Sequence, residues 1–261
     1  MESGRQKVTR KDVAREAGVS ETIVSYVLNK NRYVKEEKRQ RVLEVVEKLQ
    51  YHPNNIARAL HGKGSLQILF IAEELSSGYF SELVSQMSRD AYRRGYMISL
   101  CESQEEDEFV SQILSRQFDG LFVSASGVTD RELKLLVKSG IPMVLFLNRE
   151  ISCDLRDTVV VDTGLYEGSR ECVKHLVKNG CRNFVYLDKT GKQCDRDIHW
   201  KGFFDQIKES EITFAQEQRI SGCEDIKKLE QRLQLLLEEN PFVDAIVARY
   251  DNLAAVALWG G

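Results

Sequence analysis

The chain lacks the features that mark membrane and exported proteins. Its 261 residues contain no apolar run long enough to cross a membrane. The first residues, MESGRQKVTRKDV, lack the hydrophobic core of a signal peptide, which an exported solute-binding protein would need. We therefore expect a cytoplasmic protein with no membrane partner.

Cysteine and histidine form no metal or redox motif. The six cysteines include no C-x-x-C pair and do not cluster with the four histidines, so we expect buried or half-buried thiols in a reducing compartment. The sequence also has no P-loop and no G-x-S-x-G motif, and nothing sets two carboxylates at the separation that a glycosidase needs. We expect no metal, no cofactor and no enzymatic activity.

Charge is distributed unevenly along the chain. Residues 1–64 carry 14 Lys/Arg against 8 Asp/Glu, a net charge of +6. The remaining residues carry 23 Lys/Arg against 32 Asp/Glu, a net charge of −9. A basic segment beside an acidic body places a candidate surface for DNA phosphates on the first segment alone. The total length suits one small and one large domain.

The first segment contains two short amphipathic helices. In TRKDVAREAGVSETIVSYVLN, which begins at Thr9, apolar residues recur at helical spacing on both sides of Gly18. Gly18 suits a turn with positive φ, and Ser20 suits the N-cap of the second helix. The pattern predicts a helix-turn-helix unit, although a purely structural corner of two helices has the same local pattern. The polar face of the second helix carries side chains that could reach base edges: Thr22, Ser25, Tyr26 and Asn29.

A third helix and a short hinge follow. Four apolar residues recur at helical spacing: Val42, Val45, Val46 and Leu49. They predict a helix over about 35–49 that closes a three-helix core. Pro53 then breaks the chain, and residues 56–60 form a single turn that is too short to be stable alone in water. We expect this turn to order only with a partner copy and DNA.

These segments together resemble the lac repressor/gal repressor family of bacterial transcription regulators. The likeness rests on DVAREAGVSETIVSYVLN and on YHPNNIARAL, which is similar to the family's hinge helix. It implies a repressor that binds a pseudo-palindromic operator as a homodimer and responds to a small molecule, a sugar. The residues leave one alternative open, a truncated remnant that binds DNA without sensing a ligand.

The resemblance implies DNA contacts of three kinds. The major groove is expected to meet Glu21, Thr22, Ser25, Tyr26 and Asn29. Phosphates are expected to be held by Lys11, Arg32, Arg39 and the backbone at Ser20. At the hinge, the implied contacts are Asn54, Ala57 and Leu60, with Leu60 wedged into the central minor-groove step. Tyr26 departs from the family, which often has arginine there, a residue that reads guanine.

From Ser65 onward, strands alternate with helices, which predicts parallel sheets covered on both faces, and one of the expected strands covers about 214–220. The spacing fits two doubly wound lobes, about 65–162 and 163–261, and the resemblance implies a periplasmic-binding-protein-like α/β core with ligand between them. The expected domains are an all-α helix-turn-helix head (1–50), a hinge helix with its linker (51–64) and the ligand-binding core (65–261).

Polar residues just past the expected strands are candidates for ligand contacts, because ligands bind outside the carboxyl ends of strands in open α/β sheets. They are Glu73, Glu74, Glu102, Ser124, Ser126, Asn148, Arg149, Asp162, Asp188, Tyr250 and Asp251. This mixture suits a polyhydroxylated ligand. The resemblance adds Tyr79 and Phe80. It also places His199 where the family commonly has arginine, and Tyr250 where it has asparagine, which indicates a reshaped pocket. An ordinary helix position remains equally open for His199.

The resemblance also implies further residues after Gly261 that complete the second lobe. We expect the sheet of that lobe to be incomplete and its last helix to expose Leu253, Val256, Leu258 and Trp259. An unpaired strand edge and an apolar patch are aggregation hazards. We therefore expect a folded, weakly DNA-binding head joined to an unstable body with little ligand response.

Overall fold

The computed structural model describes most of the chain: residues 8–29, 32–53, 64–73, 75, 78–104, 108–188, 196–221 and 226–259. The chain divides into two compact units, Met1–Ser65, which we call the head, and Leu66–Gly261, which we call the body. Among the described residues, no helix is long and apolar enough to span a membrane.

The head contains three helices in its described part: α1 (Arg10–Ala17), α2 (Glu21–Asn29) and α3 (Glu36–Lys48). Thr9 begins α1 with a capping box, in which its hydroxyl accepts from the Asp12 N–H and the Asp12 carboxylate accepts from the Thr9 N–H. Gly18 has φ of 62°, the left-handed conformation predicted for the turn. The Ser20 hydroxyl accepts from the Ile23 N–H at 3.4 Å, as an N-cap does.

One apolar core joins the three head helices. Its buried members are Val13, Ala14, Ala17, Val24, Val27, Val42 and Tyr51. Val24 and Val27 point from α2 into this core, and their burial turns the opposite side of α2 toward solvent. The packing therefore leaves the polar face of α2 outside the head core, as the helical spacing predicted.

The first lobe of the body is built on five parallel strands. They are β1 (Gln67–Ala72), β2 (Met97–Glu102), β3 (Gly120–Ser124), β4 (Met143–Leu145) and β5 (Val159–Val160), in the order β2-β1-β3-β4-β5. The helices between them are α4 (Gly78–Arg93), α5 (Phe109–Leu114) and α6 (Asp130–Lys138). One face of the sheet packs Ile71, Val123 and Leu145 against Leu133 and Leu136 of α6.

The second lobe is built on three parallel strands. Its elements are α7 (Leu165–Lys178), β6 (Phe184–Leu187), α8 (Ile198–Glu209), β7 (Arg219–Ile220), α9 (Ile226–Glu239), β8 (Ala245–Ala248) and α10 (Asp251–Trp259), with strand order β7-β6-β8. Alternate residues of β6 face opposite sides of the sheet. Phe184 packs with α7 and α8, whereas Val185 packs with α9 and α10. Helices on both faces confirm the doubly wound architecture.

Two local predictions for the second lobe are wrong. The strand expected over 214–220 is reduced to β7, because a 3₁₀ turn at Gln216–Gln218 precedes it. In this turn the Gln218 amide accepts from the Ala215 N–H and donates to the Phe184 carbonyl. Leu253 is not exposed. It is 2 % accessible and packs against α9, whereas Leu258 is 79 % exposed, and the Trp259 side chain lies outside the described residues.

Candidate functional site

The polar face of α2 is the candidate surface for base edges. Thr22 and Glu21 are exposed on it, and Ser25 and Tyr26 are half-buried. The Asn29 side-chain amide donates to the Ser25 carbonyl at 2.8 Å and to the Ser25 hydroxyl at 3.1 Å. Ser25 and Asn29 are therefore held as a pair, and the Ser25 hydroxyl still has its own proton to donate.

Arg32 lies against the same face of α2. Its guanidinium carbon is 5.2 Å from the centroid of the Tyr26 ring, within cation–π distance. The family resemblance implies a base contact for Tyr26 and a phosphate contact for Arg32, and the structure brings the two side chains together.

The expected phosphate contacts are only partly described. Lys11 is exposed and Arg39 is half-buried, and neither has an ion pair within the described part of the head. The head's ion pairs there join Arg15 to Asp12 and Lys48 to Glu16. The hinge residues Asn54, Ala57 and Leu60 lie outside the described residues.

In the body, the segment after β4 is hydrogen-bonded to the segment before α8. The Ile198 N–H donates to the Asn148 carbonyl, and the Glu150 N–H donates to the Arg196 carbonyl, both at 3.0 Å. Arg149 and Asp197 form an isolated antiparallel bridge between these hydrogen bonds. The two segments tie the first lobe to the second and bring Asn148 close to the start of α8.

Arg149 is engaged inside the protein. It is 4 % exposed, and its guanidinium donates to Asp130 at 2.7 Å and to the carbonyls of Ser126, Val128 and Glu150. These bonds use most of its five N–H donors. In the described geometry, Arg149 joins the loops that follow β3 and β4. A contact between Arg149 and a ligand stays a prediction.

Other strand-end residues also bond to neighbouring loops. Glu73 accepts from the Ser126 N–H at 3.1 Å, and Glu102 accepts from the Leu75 N–H at 2.9 Å. Asp162 is exposed and accepts from the Gly164 N–H at 2.9 Å, at the start of α7. Glu74 lies outside the described residues.

A buried charge cluster lies at the carboxyl ends of the second-lobe strands. Asp188 follows β6 and is fully buried, with Arg249 at 3.2 Å and Arg219 at 3.5 Å. Arg249 also pairs with Asp197 at 2.7 Å, and the Arg219 guanidinium carbon is 3.7 Å from the Trp200 ring centroid. Two carboxylates and two guanidinium groups therefore balance one another away from water.

A cavity of about 420 Å³ opens beside this cluster. It lies between the start of α7 and the end of β8, and the side chains around it include those of Ser169, Tyr186, His199 and Arg249. The Tyr186 hydroxyl is buried and has no hydrogen-bond partner among the described residues, and burial raises its pKa. The Ser169 hydroxyl donates to the His199 carbonyl at 2.8 Å and so joins α7 to α8.

The chain matches two family models. Residues 9–54 match bacterial regulatory proteins of the lacI family, and residues 65–260 match periplasmic binding proteins and sugar binding domain of LacI family. The chain belongs to the LacI family. It is a DNA-binding transcription regulator controlled by a small molecule, which confirms the resemblance seen in the sequence.

Curated relatives in this family include named repressors. An HTH-type transcriptional repressor PurR of Mannheimia succiniciproducens is 30 % identical over 241 residues, which cover 89 % of this chain and 71 % of the relative. A ribose operon repressor of Halalkalibacterium halodurans is 29 % identical over 254 residues, which cover 96 % of this chain and 74 % of the relative.

Solved LacI-family structures confirm the fold. The lac repressor bound to ONPG in the repressed state matches with a TM-score of 0.78 and 22 % identity, over 98 % of this chain and 78 % of that one. The lac repressor dimer bound to operator and the anti-inducer ONPF matches with a TM-score of 0.74 and 21 % identity, over 98 % of this chain and 77 % of that one.

The LacI-type core distributes the expected ligand residues over several places. His199 lines the cavity, and Tyr250 packs under Arg249, whose guanidinium carbon is 4.8 Å from its ring centroid. Asp251 is exposed at the start of α10. In the first lobe, Tyr79 is 55 % exposed and contacts the ring of Phe80, with centroids 5.4 Å apart.

Sequence reasoning missed four residues that shape this region of the LacI-type core: Asp130, Tyr186, Asp197 and Arg249. Arg249 is the first residue after β8, and the candidate list began one residue later, at Tyr250. A list that began at the last strand residue plus one would have included Arg249. Tyr186 lies inside β6, and no local signal distinguishes it from a core residue. Asp130 and Asp197 lie at helix starts, where carboxylates are ordinary.

Asp130 gives this regulator a predictable response to acid. Burial raises its pKa, but hydrogen bonds from Arg149, Arg196 and the Ser152 N–H outweigh that effect, so the pKa lies below its ordinary value. A pKa lowered by folding stabilises the protein fully above the unfolded value of about 4, and this stabilisation declines as the pH falls below it. We expect Asp130→Asn to melt at a lower temperature than the natural protein near neutral pH, and the difference to narrow as the pH falls.

Thermal melts between about pH 3 and pH 6 would measure this difference. Asp90→Asn is the matched control, because Asp90 lies on the surface of α4 and its ion-pair partner among the described residues is the exposed Arg93. It should follow the natural protein at every pH. A constant offset between Asp130→Asn and the natural protein across this range would contradict the role assigned to the Asp130 carboxylate.

Proposed function

We propose that the chain is a repressor that binds a pseudo-palindromic operator as a homodimer, through a helix-turn-helix domain over residues 1–50 and a hinge over 51–64. The observation that carries the proposal is the closed head core, which leaves the polar face of α2 outside it. A related lac repressor is a dimer bound to operator, and a two-fold protein suits a two-fold site. Since its target is DNA, we place the protein in the cytoplasm.

The proposed base contacts are Glu21, Thr22, Ser25, Tyr26 and Asn29, and the proposed phosphate contacts are Lys11, Arg32, Arg39 and the backbone at Ser20. The hinge contacts are Asn54, Ala57 and Leu60. The basic head supports phosphate binding, because it concentrates cations in the first 64 residues. In this arrangement, α2 supplies the specificity and the surrounding cations fix its register on DNA.

For the effector we propose a sugar, bound without chemical change. Relatives support this class: one controls the ribose operon, and a related regulator was solved with cellobiose. The cavity beside His199 and Tyr186 has the volume of a small-molecule site and offers hydroxyl and imidazole groups. The other proposed contacts are Tyr79, Phe80, Asn148, Arg149, Asp162, Tyr250 and Asp251.

Selection of DNA sites from a random pool by the full chain would test DNA recognition. We expect one enriched motif with two-fold symmetry, and affinity that falls as salt rises. Lys11→Ala should weaken all sites alike and reduce the salt slope by about 1, because it removes one phosphate contact. The control Lys134→Ala, at an exposed position on α6, should change neither quantity. Equal binding of all sequences would refute the repressor assignment.

A thermal-shift screen of monosaccharides and disaccharides would test the effector. A bound sugar should raise the melting temperature in proportion to its affinity and concentration, and His199→Ala should abolish the rise if His199 contacts it. The control His175→Ala, at an exposed position on α7, should keep the response. If no sugar in the panel changes the melting temperature, the sugar proposal fails, and a regulator that binds DNA without sensing a ligand is favoured.

A further inference from the structure

Arg32 packs against a side chain of α2. Its guanidinium carbon lies 5.2 Å from the Tyr26 ring centroid, although Arg32 is exposed and three residues beyond the end of α2. Within residues 8–29 and 32–53, Arg32 has no carboxylate partner. The aromatic ring is therefore the described group that holds this side chain.

A ring contact of this kind leaves the hydrogen-bonding edge of arginine available. The attraction acts through the face of the ring, whereas the five N–H donors of guanidinium point outward in its own plane. The planar fork matches the O6 and N7 acceptors of guanine in the major groove. Tyr26 cannot make that pair, because a phenol offers one hydroxyl.

Tyr26 lies on the face of α2 that carries the other candidate base readers. Thr22 is one turn before it and Asn29 is nearly one turn after it, and both are exposed. A side chain that packs on the Tyr26 ring is therefore close to the surface proposed to enter the major groove. A phosphate contact at the groove edge would not require this placement.

We propose that Arg32 reads a guanine in each operator half-site and that Tyr26 is the positioning residue that presents it. The proposal deepens the proposed DNA-binding function and depends on it. It gives Arg32 a different task from the phosphate contact expected from the sequence. The ring limits the conformations of a long side chain before binding, so less entropy is lost when the guanine pair forms.

Site selection by the full chain, repeated for Arg32 variants, would test the reading role. Arg32→Ala should lose the preference for guanine at one symmetric pair of positions, about 5- to 150-fold per half-site, which corresponds to one bidentate pair. Arg32→Lys should lose the same preference, because lysine keeps the charge but lacks the planar guanidinium that donates two parallel hydrogen bonds. Lys134→Ala, at an exposed position on α6, is the control and should keep both the affinity and the base preference.

Variants of Tyr26 would test the positioning role. Tyr26→Phe keeps the ring and should keep the guanine preference, whereas Tyr26→Leu removes the ring and should reduce the preference at the same position as Arg32→Ala. Circular dichroism melts would show that each head is folded. Both substitutions remove the hydroxyl, so different base preferences in the two variants identify the ring as the group that matters.

Three outcomes separate the alternatives. If Arg32→Ala weakens every sequence alike, lowers the salt slope by about 1 and leaves the motif intact, Arg32 holds a phosphate and the proposal fails. If Tyr26→Leu keeps the guanine preference that Arg32→Ala loses, Tyr26 does not position Arg32. If the natural protein selects no motif, the proposed DNA-binding function itself fails.

Discussion

Replacing Asp188 with alanine is expected to lower the free energy of unfolding of the body by about 3–5 kcal/mol, the usual cost of removing one partner from a buried ion pair. Asp188 is fully buried, and the side chains of Arg219 and Arg249 beside it are 2–3 % exposed. Removing the Asp188 carboxylate breaks both of these ion pairs in the protein interior, while Arg249 keeps its pair with Asp197 at 2.7 Å. Guanidinium charge that Asp188 now balances away from water would lose that balance.

Urea unfolding followed by tryptophan fluorescence would measure the effect of Asp188→Ala, because Trp200 lies under Arg219 in the same cluster. Asp154→Ala is the control. It also breaks an aspartate–arginine pair, but Asp154 and Arg156 are both mostly exposed, so stability should not change measurably. Equal unfolding midpoints for Asp188→Ala and the natural protein would show that water reaches the cluster.

Replacing Gly202 with alanine is expected to destabilise the second lobe by about 1–3 kcal/mol or more, the range for overpacking a filled interior. A Cβ atom at Gly202 would lie 2.4 Å from the Tyr166 carbonyl oxygen and 3.1 Å from the Ser169 Cβ. Both belong to α7, and the first is a backbone atom that cannot rotate away. Helices α7 and α8 would have to separate.

Gly168→Ala is the matched control for Gly202→Ala. Gly168 lies in α7, and a Cβ atom there would meet nothing within 4 Å. Alanine should therefore stabilise the helix by about 0.5–1 kcal/mol, since glycine is the poorer helix former. Thermal melts of both variants would measure opposite shifts. Similar shifts would mean that the α7–α8 contact can relax at little cost.

The Gly202 contact also bears on ligand binding. The start of α7 borders the cavity, and α8 carries His199, so the separation of these helices sets the cavity's width. Two further bonds join the helices: the Tyr166 hydroxyl donates to Asp205 at 2.9 Å, and the Ser169 hydroxyl donates to the His199 carbonyl. We expect Gly202→Ala to reduce any sugar response measured by thermal shift, in addition to lowering stability.

The sequence alone determined the architecture because its signals are local. A helix repeats its buried positions every three or four residues, so the spacing of Val24 and Val27 was enough to place the polar face of α2. The positive φ of Gly18 follows from the missing Cβ. Strands that alternate with helices imply parallel sheets, because a parallel connection needs a long crossover.

Only the tertiary structure decided which polar residues are available for binding. Asp162 and Asp188 look alike in the sequence, since each follows an apolar strand, yet Asp162 is exposed and Asp188 is buried between two arginines. The sequence also did not reveal that Leu253 packs on α9 or that Arg32 packs on Tyr26. Burial and ion pairing depend on residues far apart in the chain, and local spacing carries no information about which distant side chains meet.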